Sequence, residues 1–247
     1  MSMQEFGFGD NDSALSAKGS RFKAKEGESY RLSFIWWPGL EDGKPNLDAS
    51  SPKFIGCKRF YIQNVGYFQD NPAYPELAKL AGGQSKQTVG TIVVQWPTDQ
   101  NGKLDKNRFQ SGDYQAKSWI FSADKYRIIA SGHEEYPLGQ VDLNVSCTDT
   151  QFQKMTFLPT KENLLRKLIE ANKPEVQALI ARAREMAADL PREIAQDLTP
   201  DQVKAKLSGQ GGAAAAGGRG PAAGGGGGGR GATTSPDFDG MLDDILK

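Results

Sequence analysis

The spacing of apolar residues predicts a strand-rich part of the chain that is followed by a helical part. Alternating positions and short apolar runs, which are typical of half-buried and buried strands, cover residues 30–37, 53–68, 88–96, 108–121, 141–147 and 152–158. Residues 88–96 give the strongest prediction of a buried strand, and Gly66 predicts that the second strand is long or bent. Short helices are predicted over residues 75–83 and 122–130, the second with Ser122 as its N-cap.

Helical spacing begins after residue 159. Leucine and isoleucine at positions 164, 165, 168 and 169 form one apolar stripe, which predicts a helix from Thr160 to about Asn172. Pro174 stands where a second helix would begin, and the same period continues to Leu190. A Thr-Pro pair at 199–200 begins a third, short helix, and the Gly/Ala-rich residues 208–236 predict a flexible linker.

Together these elements predict a mainly β fold, an OB-fold-like small barrel of five or six strands followed by a C-terminal helical segment. A β-sandwich suits the strand count nearly as well, and periodicity does not separate the two. The predicted organisation is a flexible arm (1–19), the barrel domain (20–159), the helical segment (160–207), a disordered linker (208–236) and an acidic, apolar tip (237–247).

The net charge of zero hides an uneven distribution. Residues 18–60 hold nine Lys or Arg against five Asp or Glu, residues 61–131 hold eight against six, and the last eleven residues hold four Asp and one Lys. A basic body with an acidic end favours a polyanionic partner. Lys18, Arg21, Lys23 and Lys25 lie near the N-terminal arm, where they are expected to meet phosphate, a neighbouring protomer in self-association, or only solvent.

Composition also excludes several classes of protein. No run approaches 18 apolar residues, so no membrane span is expected. The first residues lack the basic and apolar regions of a secretory signal, which favours a cytoplasmic protein. The two cysteines, Cys57 and Cys147, are accordingly expected to be reduced.

Residues suited to catalysis or metal binding are sparse in the sequence. His133 is the single histidine, and it has no Cys or His companion at metal-ligand spacing. The chain contains neither a Walker A nor a GxGxxG pattern. Asp99, Asp105 and Asp113 are candidates for a two-metal nuclease site, although Asp is common in turns. We therefore expect a binding protein without cofactor or metal rather than an enzyme.

Residues 58–68 (KRFYIQNVGYF) place cations and aromatic rings in one predicted strand. Alternate side chains of a strand share a face, so Arg59, Tyr61 and Tyr67 share one face and Lys58, Phe60 and Phe68 the other, with one face open and one in the core. Cations that neutralise phosphates and rings that stack on unpaired bases bind single-stranded nucleic acid. The predicted DNA-binding residues are Lys58, Arg59, Tyr61, Tyr67, Lys86, Lys103, Lys106, Arg108, Phe109, Tyr114 and Lys117.

Each aromatic side chain can instead belong to the core. We expect Trp36, Trp96, Phe60 and Phe121 in the core, and we expect the rings that have polar neighbours on the surface, namely Tyr61, Tyr67, Phe109 and Tyr114. Residues 58–68 are then expected to form one wall of a binding groove, with residues 103–117 as the second wall.

The C-terminal residues 237–247 combine acidic and large apolar side chains after the glycine-rich linker. This pattern predicts a short helical motif that docks on partner proteins or competes with nucleic acid for the basic groove. The predicted docking residues are Asp237, Phe238, Asp239, Leu242, Asp243, Asp244, Ile245 and Leu246.

In layout the chain resembles the single-stranded DNA-binding, helix-destabilising proteins of T-even-like bacteriophages. The resemblance rests on residues 22–38 (FKAKEGESYRLSFIWWP), 91–103 (TIVVQWPTDQNGK), 118–130 (SWIFSADKYRIIA) and the terminal LDDILK. It implies a protein that coats exposed strands in replication, recombination and repair, and that recruits a polymerase, helicase loader or recombinase through its tip. The cysteines and histidine of that family's zinc subdomain are lacking, and bacterial single-stranded DNA-binding proteins have similar tails.

Two other functions stay open at this point. Arg219 and Arg230 stand between glycines, as in RGG segments, and favour an RNA-binding protein. A structural or adaptor protein that binds no nucleic acid would use the β-rich part as a docking platform.

Overall fold

The computed structural model describes residues 21–40, 43–99, 101–149 and 154–208, which form an antiparallel sheet with helices mainly after it. The strands are β1 (Ser29–Phe34), β2 (Ile55–Ile62), β3 (Gly66–Gln69), β4 (Lys86–Trp96), β5 (Gln115–Ser122), β6 (Leu143–Cys147) and β7 (Met155–Pro159). The helices are α1 (Glu76–Ala81), α2 (Lys106–Gln110), α3 (Ala123–Glu135), α4 (Leu164–Glu170), α5 (Pro174–Ile194) and α6 (Pro200–Leu207).

Strand β4 organises the sheet. Along one edge, residues 86–90 pair with β2 and residues 93–96 pair with β1, while β5 pairs with the other edge over residues 88–95. The seven strands follow the order β3-β2-β4-β1-β6-β7, with β5 joined to β4 outside this path. The sheet is antiparallel throughout, and it is not closed.

The middle of β4 is buried because apolar clusters cover both of its faces. One face carries Ile92 and Val94 and packs against α4 and α5, whose apolar residues recur at helical spacing. Gly90 permits the close approach of α5, since a Cβ at this position would lie 2.8 Å from Ile194 Cδ1. The opposite face carries Val89 and Val93 and packs against residues of β1, β5 and β6.

A smaller third cluster supports the β2–β3 hairpin. Phe60 and Phe68 are buried there against Leu77 of α1 and Val203 of α6. The chain between α5 and α6 also covers the outer edge of β3, because Gln196 N donates to Tyr67 O at 3.0 Å and Gln69 N donates to Gln196 O at 2.9 Å. The hairpin is therefore held on one face, along the outer edge of β3 and, through the pairing of β2 with β4, along part of its other edge.

Most of the predicted elements are confirmed, including the mainly β body, the helices after it, the buried β4, the N-cap Ser122, the helix start at Pro174 and the short α6. The predicted barrel closure is not found in this sheet, so an OB-fold-like relationship stays a prediction.

Three local predictions are wrong. Residues 53–68 form a hairpin rather than one bent strand, because the chain turns where Asn64 and Gly66 adopt positive φ angles of 71° and 88°. Residues 108–121 are not continuously extended, since Asp105 accepts a hydrogen bond from Arg108 N and begins α2. Asn163, not Thr160, caps α4.

Candidate nucleic-acid interface

The pairing of β2 with β3 determines which aromatic rings lie on the open face of the hairpin. Residues that lie opposite each other in the pairing of two strands share a face, and Tyr61 is opposite Tyr67 while Phe60 is opposite Phe68. Phe60 and Phe68 are buried in the third cluster, whereas Tyr61 is 47% exposed and Tyr67 is 43% exposed. The assignment of Tyr61 and Tyr67 to the open face is therefore confirmed.

The two tyrosine rings lie beyond the helix that covers the rest of their face. Ile55 and Cys57 occupy the same face of β2 and pack against the cluster that contains α5. Helix α5 ends at Ile194, so the tyrosines extend past its C-terminal end. Their ring centroids are 4.9 Å apart with an interplanar angle of 47°, a distance typical of interacting aromatic pairs.

Arg59 connects this aromatic pair to the helix. Its guanidinium carbon lies 3.7 Å from the centroid of the Tyr67 ring, and its Nη1 donates to the carbonyl of Ile194 at 2.6 Å. Burial lowers the pKa of Arg59, while the neighbouring Tyr67 raises it. The predicted phosphate-binding role of Arg59 therefore competes with two contacts inside the protein.

Two lysines flank the hairpin, on opposite faces. Lys86 begins β4 opposite Arg59, so it lies on the face of the tyrosines. Lys58 is opposite Gln87 and lies on the other face, with the parity of Phe60. Both lysines are exposed, and of the two it is Lys86 that shares a face with the tyrosine rings.

The loop between β4 and β5 holds most of the other predicted DNA-binding residues, and here the rings pack inward. Phe109 is only 3% exposed and packs on Trp96, with 5.7 Å between ring centroids. Tyr114 is half-buried at 5.2 Å from the Trp96 ring and 5.4 Å from the Phe109 ring, and burial raises its pKa. The prediction that Phe109 lies on the surface is wrong, because α2 turns its side chain toward Trp96.

The cations of this loop stand in different surroundings. The guanidinium of Arg108 makes an exposed ion pair with Asp113, with Nη2 to Oδ2 at 2.6 Å. Lys103 and Lys106 are exposed. Lys117, on β5, lies opposite Val93 of β4 and is half-buried. Burial lowers the pKa of Lys117, while Asp113 raises it.

The two predicted groove walls lie at opposite ends of β4. The hairpin pairs with residues 86–90, whereas the 103–114 loop follows Trp96. Eleven residues of strand separate these ends by about 33 Å, at roughly 3.3 Å per residue. The structure thus brings Arg59, Tyr61, Tyr67 and Lys86 together, and it does not place residues 103–114 opposite them.

A buried carboxylate, which the sequence did not single out, ties β1 to β6 and α4. Asp142 accepts hydrogen bonds from Arg31 Nε at 2.7 Å, from the Ser33 hydroxyl and from Leu164 N at 3.3 Å. Burial raises the pKa of Asp142 to about 6, against the lowering effects of Arg31 and Ser33. Its arrangement is that of a structural network rather than of a site open to a ligand.

The remaining candidates for chemistry belong to different elements, with His133 in α3, Cys57 in β2 and Cys147 in β6. His133 Nδ1 accepts a hydrogen bond from Leu138 N at 3.0 Å, and burial lowers its pKa. Cys57 and Cys147 are free thiols. Within the described ranges, no group of three or more His, Cys, Asp or Glu residues is placed to hold a metal ion.

The predicted docking residues of the tip, from Asp237 to Leu246, lie outside the described residues, as does most of the N-terminal arm. Where the helices are described, none has both the length and the apolar character needed to cross a membrane. Comparisons of the chain with models of protein families, with curated proteins and with solved structures find no match.

Proposed function

We propose that this protein binds single-stranded DNA on the open face of the β2–β3 hairpin. The observation that carries the proposal is the exposed pair of rings, Tyr61 and Tyr67, in mutual contact beside the cations Arg59 and Lys86. Two exposed tyrosines on a short hairpin leave apolar ring surface in water, and stacking with an unpaired base would remove that surface from water.

The geometry favours single strands over duplexes. Bases in a duplex are already stacked on their neighbours, so their faces are not available to a protein ring. A base stacked on a tyrosine contributes about 1–3 kcal/mol of binding free energy and has little sequence preference. Lys86, on the same face, would neutralise a phosphate of the bound strand.

The ring separation supports stacking on the outside of the pair. A base inserted between two rings needs a centroid separation of about 7 Å, twice the stacking distance of about 3.4 Å. Tyr61 and Tyr67 are 4.9 Å apart. A bound base would therefore lie against the outer ring surface.

On this proposal the protein covers exposed strands in replication, recombination and repair. The acidic, apolar residues 237–247 would recruit replication or recombination proteins, connected to the body by the Gly/Ala-rich residues 208–236.

The test is a titration of labelled oligo(dT), followed by fluorescence anisotropy. The label belongs on the oligonucleotide because all four tryptophans, at positions 36, 37, 96 and 119, are buried and would report stacking poorly. We expect log affinity to fall linearly with log salt concentration, with a slope of about −0.7 per phosphate contacted. A duplex of equal length that binds as tightly as oligo(dT) would contradict the proposal.

The same assay separates the two other functions. An RNA oligomer of equal length that binds much more tightly than its DNA counterpart would favour an RNA-binding protein. Failure to bind any oligonucleotide at low salt would favour a structural or adaptor protein.

A further inference from the structure

The guanidinium of Arg59 makes two contacts within the protein that binding a phosphate would not require. Its guanidinium lies 3.7 Å from the Tyr67 ring centroid, and Nη1 is 2.6 Å from the carbonyl oxygen of Ile194. The residues that it joins are far apart in the chain, since Ile194 ends α5 and Tyr67 lies on β3. One side chain therefore links the end of the long helix to the exposed rings.

The chemistry of both contacts suits arginine in particular. The last carbonyls of a helix lack partners within the helix and lie at its negative end, so a guanidinium donor there is favourable. A planar guanidinium can also lie against an aromatic ring while it donates in its own plane, which an ammonium group cannot do. Both contacts use the positive charge of the Arg59 guanidinium, which a contact with phosphate would also require.

Tyr67 is in turn the partner of Tyr61, with 4.9 Å between the ring centroids. The opposite face of the hairpin is fixed by the burial of Phe60 and Phe68. Arg59 restricts the remaining freedom, which is the orientation of the exposed Tyr67 side chain.

We infer that Arg59 is a positioning residue for the stacking surface rather than a phosphate ligand. It holds the Tyr67 ring, and through it the Tyr61 ring, in the orientation that receives a base. The inference rests on the proposed function and assigns the role of one residue within that site.

Salt dependence separates positioning from phosphate binding. We expect Arg59→Lys, which keeps the charge, to weaken oligo(dT) binding about three- to tenfold, nearly as much as Arg59→Gln. Neither change should alter the slope of log affinity against log salt. Lys86→Gln is the matched control and should reduce that slope by about 0.7. Full binding by Arg59→Lys, or a reduced slope in Arg59→Gln, would overturn the inference.

A double-mutant cycle gives a second readout, which a general loss of stability would not imitate. If Arg59 acts through Tyr67, Arg59→Lys should have no further effect in a Tyr67→Ala background. It should keep its full effect in a Tyr67→Phe background, where the ring is retained. Far-UV circular dichroism checks that each variant is folded.

The outcomes of the cycle distinguish this inference from the proposed function. Losses that multiply in the Arg59→Lys, Tyr67→Ala double variant would overturn the positioning role while leaving single-stranded DNA binding intact. An unsubstituted protein that does not bind oligo(dT) would overturn both.

Discussion

Two groups of aromatic residues lie at opposite ends of β4, and they differ in what covers them. At one end, Tyr61 and Tyr67 extend past the end of α5 and are exposed. At the other end, Phe109 and Tyr114 pack on Trp96 and close the apolar cluster beneath α5. Both groups stand among lysines and arginines in the sequence.

The difference shows that the mixture of cations and rings does not by itself identify a binding surface. Whether a ring is exposed or buried depends on the element that covers it. In the hairpin, strand alternation sends Phe60 and Phe68 inward and leaves two tyrosines outside. In the loop, the short helix α2 turns its aromatic residue toward the core. The first group lies on the surface, and the second is packed in the apolar cluster and stabilises the fold.

The largest expected effect is on stability, at the buried end. Phe109→Ala should lower the free energy of unfolding by about 3–5 kcal/mol, because it removes a buried ring and leaves a cavity beside Trp96. Urea denaturation followed by circular dichroism measures this change. Tyr61→Ala, at the exposed end, should cost less than about 1 kcal/mol. Equal losses in the two variants would remove the distinction between the two groups.

The buried end should also respond to pH. Trp96 Nε1 donates to the Ser33 hydroxyl at 2.7 Å, and Ser33 donates to Asp142. Because folding raises the pKa of Asp142 from 3.8 to about 6, the folded state binds more protons between these values. The contribution of Asp142 to the free energy of unfolding is therefore fully present below about pH 4 and is lost as the pH rises through 6.

The size of this pH effect is up to about 3 kcal/mol, from roughly 1.4 kcal/mol per pKa unit. The measurement is the difference in unfolding free energy between the unsubstituted protein and Asp142→Asn, taken at several values from pH 4 to pH 7. We expect this difference to change across the range. Two curves that run parallel would contradict the role assigned to Asp142.

At the exposed end the expected effect is on binding. Tyr61→Ala and Tyr67→Ala should each weaken oligo(dT) binding by about 1–3 kcal/mol, since each removes a stacking ring. Tyr136→Ala is the matched control, because Tyr136 is also 43% exposed but follows α3 and is not part of the hairpin. If the Tyr136 variant loses as much affinity as the hairpin variants, the loss is not specific to this surface.

The smallest expected effect concerns the cations at the two ends. Lys86→Gln should weaken binding by less than about 1 kcal/mol at moderate salt and reduce the salt slope by about 0.7. Arg108→Gln, in which an exposed ion pair with Asp113 is lost, should leave the slope unchanged. A larger change of the salt slope in the Arg108 variant than in the Lys86 variant would indicate that DNA binds at the other end of β4.

Much of this fold follows from local sequence patterns. The alternation in residues 58–68 predicted two faces, and the near-continuous apolar run predicted that β4 is buried on both sides. The polar neighbours of Phe109 predict a surface position, whereas the structure buries its ring. The signal that would have corrected this was Asp105, an N-cap residue that begins a helix and so replaces strand alternation.

Other features depend on contacts between distant parts of the chain. The carbonyl that Arg59 binds belongs to Ile194, 135 residues further along. The partners of Asp142 come from β1 and α4. Local sequence patterns do not predict such contacts, because the contacts depend on where α5 ends and on how α4 packs against the sheet.

The most direct test of the central claim is photo-crosslinking with oligo(dT) that carries 5-iodouracil, followed by mass spectrometry of the crosslinked peptides. It reports which residues touch the bases without requiring any substitution. We expect crosslinks to Tyr61 or Tyr67 and none to Phe109 or Tyr114. Crosslinks confined to residues 103–117, with none in the hairpin, would contradict the account.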